Sequence, residues 1–383
     1  MLQTTDHLDR ETAAAQCDPA RYLVSLELSR STWLVTTLAP DSEKLSRHQV
    51  EGGDADALLA LLDRLKARTE QRLGRPVQIV TIQEAGLDGF WLHRRLERHG
   101  IESQIVEPAS IAVPRRHRRA KTDRIDGEVL IRTLAAWLRG EPRVCSMVQP
   151  PSPEEEDRKR LTREREELLA ERVRLVNRIK GLLFGQGIRD YQPLRRDRWQ
   201  RLEALATGDG RPLPARLEAE LRRTLKRVDV VCGQIEEVER ARDTMAAATA
   251  PTAALTQLKG IGPETAARLW VEALYRSFAN RRQVAAYAGL TPTPWQSGDS
   301  DREQGIGKSG NPRLRTTMIE LAWLWLRHQP GSALSRWFRE RVGDRRGRAR
   351  MTAIVAVARK LLIALWRYVT QGLLPDGAEL KAA

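Results

Sequence analysis

The chain has 383 residues, with 65 Lys and Arg against 50 Asp and Glu, a net charge of +15 and room for two or three domains. Hydrophobic residues at 41% and charged ones at 30% fit a soluble globular protein with charged surfaces. Three scattered cysteines, Cys17, Cys145 and Cys232, form no CxxC pair or Cys/His cluster, which argues against structural zinc and fits reduced cytosolic thiols. The polar start Met1-Leu-Gln-Thr-Thr-Asp-His7 is no signal peptide. The most apolar stretch, Thr352 to Val369, carries Arg359, Lys360 and Arg367 and reads as a buried helix, not a membrane span. The excess positive charge is clustered, which favours a polyanionic partner, nucleic acid being the commonest.

Residues 1–150 alternate strand and helix signals. Tyr22–Glu27 and Trp33–Leu38 are β-rich runs that read as a hairpin. Ala55–Leu73 carries leucines at helical spacing, Val77–Ile82 reads as a buried strand, Phe90–His99 as a helix and Ser103–Val106 as a short strand. Asp123–Leu138 is a further helix. This order predicts a three-layer α/β domain. Pro150-Pro-Ser-Pro153 then breaks the chain. In residues 151–250, Glu154–Leu183 repeats leucine every seventh position, at Leu161, Leu168, Leu175 and Leu182, and Ala215–Ala248 is a second long amphipathic helix. Together they predict an antiparallel coiled-coil hairpin, packed within the chain or used for oligomerisation. Residues 251–383 form a mainly helical domain. Leu258-Lys-Gly-Ile-Gly-Pro263 has the pattern of a helix-hairpin-helix turn, with Gly260 and Gly262 allowing a tight loop against a DNA phosphate or a plain helix connection. Residues 1–20 and 375–383 read as polar ends.

Two constellations carry chemistry. Glu27 and Glu84 end apolar runs, and Asp123 and Asp126 lie three apart at a helix start. Such carboxylates can hold Mg²⁺, a hard cation that takes oxygen ligands, and two such ions about 4 Å apart can clamp a phosphodiester. Each acid also has an ordinary reading alone, Asp123 as an N-cap or Glu84 as a strand-end charge. The preceding run, Arg115, Arg116, Arg118, Arg119 and Lys121, would hold nucleic-acid backbone beside that metal. Ser297, among Gln296, Gly298, Asp299 and Ser300, reads as an exposed loop serine, either a nucleophile or a simple hydrogen bonder. No histidine is near it in sequence, which leaves a Ser-His-Asp hydrolase unsupported. Lys308, Asn311, Arg313 and Arg315 follow and could bind a phosphate.

Glu84-Ala-Gly86, Lys121-Thr-Asp-Arg-Ile-Asp126, the central helical hairpin, Gly260-Ile-Gly-Pro263, Tyr287-Ala-Gly-Leu-Thr-Pro292, Gln296-Ser-Gly298 and Lys308-Ser-Gly-Asn311 occur in that order. Together they resemble the DEDD insertion-sequence transposases, relatives of the Piv invertase and known as bridge-RNA-guided recombinases. The resemblance implies a RuvC-like, RNase H-type N-terminal domain whose metal-binding acids match Glu27, Glu84, Asp123 and Asp126. It implies Mg²⁺ as cofactor, with Mn²⁺ as a substitute, and a C-terminal transposase domain whose serine matches Ser297. It implies DNA cleavage and rejoining through a 5′-phosphoserine link, donor and target DNA, a non-coding guide RNA, a homo-oligomer from dimer to tetramer, and a cytoplasmic place on the bacterial nucleoid. The family's first acid is normally Asp; here it is Glu27, whose carboxylate reaches further by about 1.5 Å, against metal-site tolerances of about 0.2 Å. Two other readings stay open: a metal-dependent nuclease or junction resolvase that uses water, and an inactive nucleic-acid-binding relative.

Overall fold

The computed structural model describes residues 20–86, 89–111, 123–142, 144–297, 300–307 and 310–381. The chain divides into two compact units, residues 1–151 and 152–383. The helical segment and the C-terminal region both belong to the second.

The first unit is a five-stranded sheet: β1 (Ala20–Leu28), β2 (Thr32–Leu38), β3 (Leu45–Glu51), β4 (Val77–Glu84) and β5 (Glu102–Val106), in the order β3-β2-β1-β4-β5. β1 and β2, and β2 and β3, run antiparallel; β4 is parallel to β1, and β5 to β4. Helices α1 (Ala55–Leu73) and α2 (Trp91–Arg98) supply the two crossovers. Strand side chains alternate between faces, and the packing follows that parity. Tyr22, Val24 and Leu26 pack with Leu58, Leu62, Leu92 and Leu96 of α1 and α2. Leu23, Val80 and Ile82 pack with Leu130, Ile131 and Leu134 of α3 (Asp123–Leu138) on the other face. This mixed α/β architecture is consistent with an RNase H-like domain.

In the second unit, α4 (Pro153–Phe184) starts at a capping box: Ser152 Oγ accepts from the Glu155 N–H, and the Glu155 carboxylate accepts from the Ser152 N–H. The prolines read as a break therefore set a helix start, with Pro153 at the first helical position. α5 (Arg198–Glu203) follows, then α6 (Ala215–Ala248). Leu175, Ile179 and Leu183 of α4 share a core with Leu221, Leu225, Val228, Val231 and Ile235 of α6. Ion pairs Arg165–Glu239, Arg227–Glu171 and Arg178–Glu220 give an antiparallel register. Arg165 takes a seam position that the leucine repeat leaves irregular. It is 14% exposed and its guanidinium meets both Glu239 and Glu264, which compensates its burial.

The remaining helices are α7 (Ala250–Gln257), α8 (Pro263–Leu269), α9 (Arg281–Tyr287), α10 (Pro312–His328), α11 (Ala333–Val342) and α12 (Arg348–Gln371). Their core includes Leu258, Ile261, Leu269, Val284, Leu314, Trp325, Val357 and Leu361. Between α9 and α10 the chain forms an antiparallel hairpin, β6 (Pro292–Ser297) and β7 (Ser300–Ile306). No described helix is long and apolar enough to cross a membrane.

Two expectations need correction here. Ser297, read as a loop residue, ends strand β6 and pairs with Ser300. Gly298-Asp299 between them is a tight-hairpin pattern, masked by Pro292 and Pro294, which argue against a strand. The C-terminal tail, read as a polar end, is bound down as far as Lys381. Glu379 N–H donates to the buried Gln329 Oε1, Gln329 Nε2 donates back to Glu379 O, and Lys381 N–H donates to Gln257 O. Backbone pairing, invisible to a polarity count, holds it.

Candidate functional site

Strand register places the acids. Leu26 pairs with Gln83 across β1 and β4. Glu27 and Glu84 are the next residues on these neighbouring parallel strands, whose backbones run about 4.8 Å apart. Parity puts both on the face that α3 covers, with Leu23, Ser25, Val80 and Ile82. Glu27 is half-buried and Glu84 is exposed.

The start of α3 closes on this corner. Ser25 Oγ donates to Gly127 O at 3.0 Å and pins the first turn to β1. A Cβ built on Gly127 would stand 2.7 Å from Glu27 Oε1 and 2.5 Å from Thr36 Oγ1, closer than real contacts. Glycine at 127 is what allows the helix to pass so near the carboxylate. Asp126 precedes it, half-buried. Asp123 is the first residue of α3; its side chain lies outside the described residues. Glu27 Oε1 is buried, as is Thr36 Oγ1, which makes no hydrogen bond among the described residues.

Among the described residues no three His, Cys, Asp or Glu side chains converge closely enough to hold a metal ion. Glu27, Glu84 and Asp126 therefore do not make a three-ligand set by themselves. Their chemistry does fit a hard divalent cation. Every described donor at the corner is oxygen, and the buried Thr36 hydroxyl beside Glu27 has no hydrogen-bond partner among the described residues. Thr36 and Gly127 escape a sequence reading, although a glycine one place after an acid in a helix's first turn is an unusual choice.

In the second unit, backbone pairing places Ser297 at the tip of the β6–β7 hairpin; its side chain lies outside the described residues. Arg115, Arg116, Arg118, Arg119, Lys121 and Lys308 lie outside them as well. Asn311 caps α10, its Oδ1 accepting from the Arg313 and Leu314 N–H groups. Its Nδ2 donates at 2.7 Å to Glu272 Oε2. Glu272 is 4% exposed, sits in a π-helical turn (Trp270–Leu274), and its Oε1 has no hydrogen-bond partner among the described residues. A lone acid within Leu269-Trp-Val-Glu-Ala-Leu274 was its only sequence signal. Burial pushes the nearby Tyr287 hydroxyl above the usual phenol range, while Arg276 and Asn311 pull it down. Arg313 pairs with Glu166 at 3.0 Å and Arg315 Nη1 reaches Ala288 O at 3.5 Å. Asn311 and Arg313 are thus engaged within the unit, where they order the start of α10.

Gly260 has φ +86°, and a Cβ there would meet His328 Cβ at 2.9 Å, so the turn between α7 and α8 requires glycine. Gly262 faces open space and precedes Pro263, the first residue of α8.

Two family descriptions match the chain: a DEDD-type IS110 transposase over residues 28–186, and "Transposase IS116/IS110/IS902 family" over residues 252–337. The chain is 56% identical to a putative transposase, y4rJ, of Sinorhizobium fredii over the full length of both. It is 28% identical to the transposase for insertion sequence element IS1111A of Coxiella burnetii, covering 77% of this chain and 78% of that one. With the transposase for insertion sequence element IS1328 of Yersinia enterocolitica it shares 28% identity over 60% of this chain and 70% of that one. The sheet and these matches agree, and the chain belongs to the IS110 family of DEDD insertion-sequence transposases.

Proposed function

We propose that the protein cuts and rejoins DNA strands with Ser297 as nucleophile and with Glu27, Glu84, Asp123 and Asp126 holding divalent metal, Mg²⁺ or Mn²⁺ in its place. The observation that carries this reading is the register: Glu27 and Glu84 follow a paired Leu26 and Gln83 onto the face covered by α3, whose first turn contains Asp126. Bound there, the metal would neutralise charge on a scissile phosphate. Ser297 Oγ loses its proton and bonds to phosphorus, the bond from phosphorus to the 3′ oxygen breaks, and that oxygen leaves as a 3′-hydroxyl. A new 3′-hydroxyl reverses the step and releases the serine. The phosphoserine link conserves the energy of the cleaved bond, so rejoining needs no external source.

The N-terminal unit then acts as the metal-binding catalytic domain, residues 151–250 as a coiled-coil assembly segment, and residues 251–383 as the transposase domain. Arg115, Arg116, Arg118, Arg119 and Lys121 would track nucleic-acid backbone. Lys308, Arg315 and the turn at Gly260 and Gly262, in a helix-hairpin-helix role, would hold DNA phosphates. Asn311 and Arg313 would support the α10 start, with Arg313 reaching DNA on leaving Glu166. A non-coding RNA pairing with donor and target would choose the sites, within a dimer or tetramer in the bacterial cytoplasm.

Substituting Glu84→Gln keeps shape and removes charge. Metal-dependent cleavage of an element-end duplex should fall by a factor of about 10³ or more, on the scale of losing a positioned charge at a reacting phosphate, with DNA binding intact. Cleavage unchanged by this substitution, across a Mg²⁺ titration, would refute the metal role. RNA guidance has its own test. Protein purified from cells carrying the element should bring down one element-encoded transcript; recovery of only bulk cellular RNA in proportion to abundance sinks guidance and leaves the rest standing.

A further inference from the structure

From Arg336 to Arg367 the chain carries ten Lys and Arg (336, 339, 341, 345, 346, 348, 350, 359, 360 and 367) against Glu340 and Asp344 alone. Between Arg345 and Pro375 there is no acid at all. None of these ten forms an ion pair among the described residues. Several arginines elsewhere in the same unit, Arg165, Arg178, Arg198, Arg222, Arg242 and Arg268, do meet carboxylates. A cluster of like charges left without counterions raises the energy of the free protein and favours an anionic partner.

The charge is arranged on α12. Ala353, Ile354, Val357, Ala358, Leu361, Leu362 and Leu365 face the core. Positions 348, 352, 356, 359, 363 and 367, spaced by four and three, form the opposite stripe: Arg, Thr, Ala, Arg, Ile, Arg, all exposed or half-exposed. At 1.5 Å per residue Arg348 and Arg367 stand about 28 Å apart, a little under one turn of B-DNA at about 34 Å. Ala356 and Thr352 between them are small enough to let a groove wall approach. At its N-terminus α12 has no side-chain cap, and Arg345, Arg346, Arg348 and Arg350 crowd the end where the helix dipole disfavours cations. A phosphate there would satisfy both the N–H groups and the guanidinium groups.

We infer that the exposed stripe of α12, with the loop from Gly343 to Gly347, is a docking surface for the backbone of duplex DNA. It lies beyond residues 252–337, which the family description covers, and it rests on family membership rather than on the role of Ser297. Duplex DNA fits better than RNA. The aromatic ring that borders the stripe, half-exposed Trp366, packs against the core, which leaves little of it for unstacked bases. Trp323 and Trp337 beside it are covered by Arg350 at 5.0 Å and Lys360 at 4.4 Å. A straight helix also enters a B-form major groove and not the deep, narrow one of A-form RNA.

The test uses the full chain carrying Arg348→Gln, Arg359→Gln and Arg367→Gln, its fold checked by its melting curve. Binding to a mixed-sequence blunt duplex of about 30 bp is followed from about 0.05 to 0.3 M NaCl. Three lost phosphate contacts should flatten the log K against log salt slope by about 2.7 and weaken binding about 10²-fold at 0.15 M. The Lys versions of the same three positions should retain both. If the triple variant fails to fold, Arg367→Gln alone should flatten the slope by about 0.9. An unchanged duplex slope overturns the inference. So does a loss confined to an RNA hairpin probe, which would assign the surface to RNA. The readout is duplex binding without strand cleavage, so failure of the strand-exchange proposal leaves this result readable.

Discussion

Replacing Ser297 by Ala should abolish strand rejoining, by a factor on the order of 10⁶, and should remove any protein–DNA adduct that survives denaturation. The magnitude follows from chemistry: alanine has no oxygen to bond to phosphorus, so only a misplaced water remains as nucleophile. A simple hydrogen-bonding role predicts something else. Ser→Ala where the hydroxyl only hydrogen-bonds costs about 1 kcal/mol or less of stability and leaves rates alone. The two differ by several orders of magnitude, so one gel decides between them. Duplex binding and thermal stability serve as controls and should match wild type. Cleavage that continues without an adduct would point to water as nucleophile and a nuclease-like reaction. An adduct formed by the Ser297→Ala protein would remove Ser297 from the mechanism altogether.

The sequence carries the first unit's architecture because its core elements are dense in apolar signal. β1 and β4 are mostly apolar runs, with Glu27 next to last in the one and Glu84 last in the other, and α1 and α3 repeat leucine and isoleucine at helical spacing. β3 escapes notice because it is an edge strand, Leu45-Ser-Arg-His-Gln-Val-Glu51, in which Val50 alone is buried. An edge strand needs little apolar content, since one side of its backbone faces solvent. The β6–β7 hairpin escapes for another reason: Pro292, Pro294 and Gly305 each weigh against a strand, and a register shift between Pro292 and Pro294 accommodates the prolines. At the candidate site the acids themselves stand out in sequence, but their supporting contacts do not. Ser25, Thr36 and Gly127 gain meaning only when β2 and α3 are folded against β1. Glu272 and Asn311, thirty-nine positions apart, meet only through the packing of the π-turn against the start of α10.

Gly127→Ala is the second substitution with a large expected effect, and its sign is the informative part. Within a helix, Gly→Ala ordinarily stabilises by about 1 kcal/mol. Here the added Cβ falls 2.5 Å from Thr36 Oγ1 and 2.7 Å from Glu27 Oε1. The Glu27 carboxylate, at the end of a flexible side chain, can swing aside, but Thr36 cannot yield freely. Thr36 is fully buried within the sheet, and Ser25 Oγ holds the Gly127 carbonyl against β1. Overpacking of this kind costs about 1–3 kcal/mol, enough to cancel the helix gain of about 1 kcal/mol and lower the melting temperature by up to roughly 8 °C. Displacement of the Glu27 carboxylate should also reduce metal-dependent cleavage about 10²-fold, since positioning errors near 1 Å carry that penalty. The longer reach of glutamate at this position uses the space that glycine leaves, so the two residues form a matched pair. A double-mutant cycle with Thr36→Ala separates the contacts. Removing Oγ1 should return part of the lost stability while cleavage stays low, because the contact with Glu27 persists. A rise in melting temperature for Gly127→Ala alone, with full cleavage, would show that α3 does not close on Glu27, and the proposed convergence of acids would fail with it.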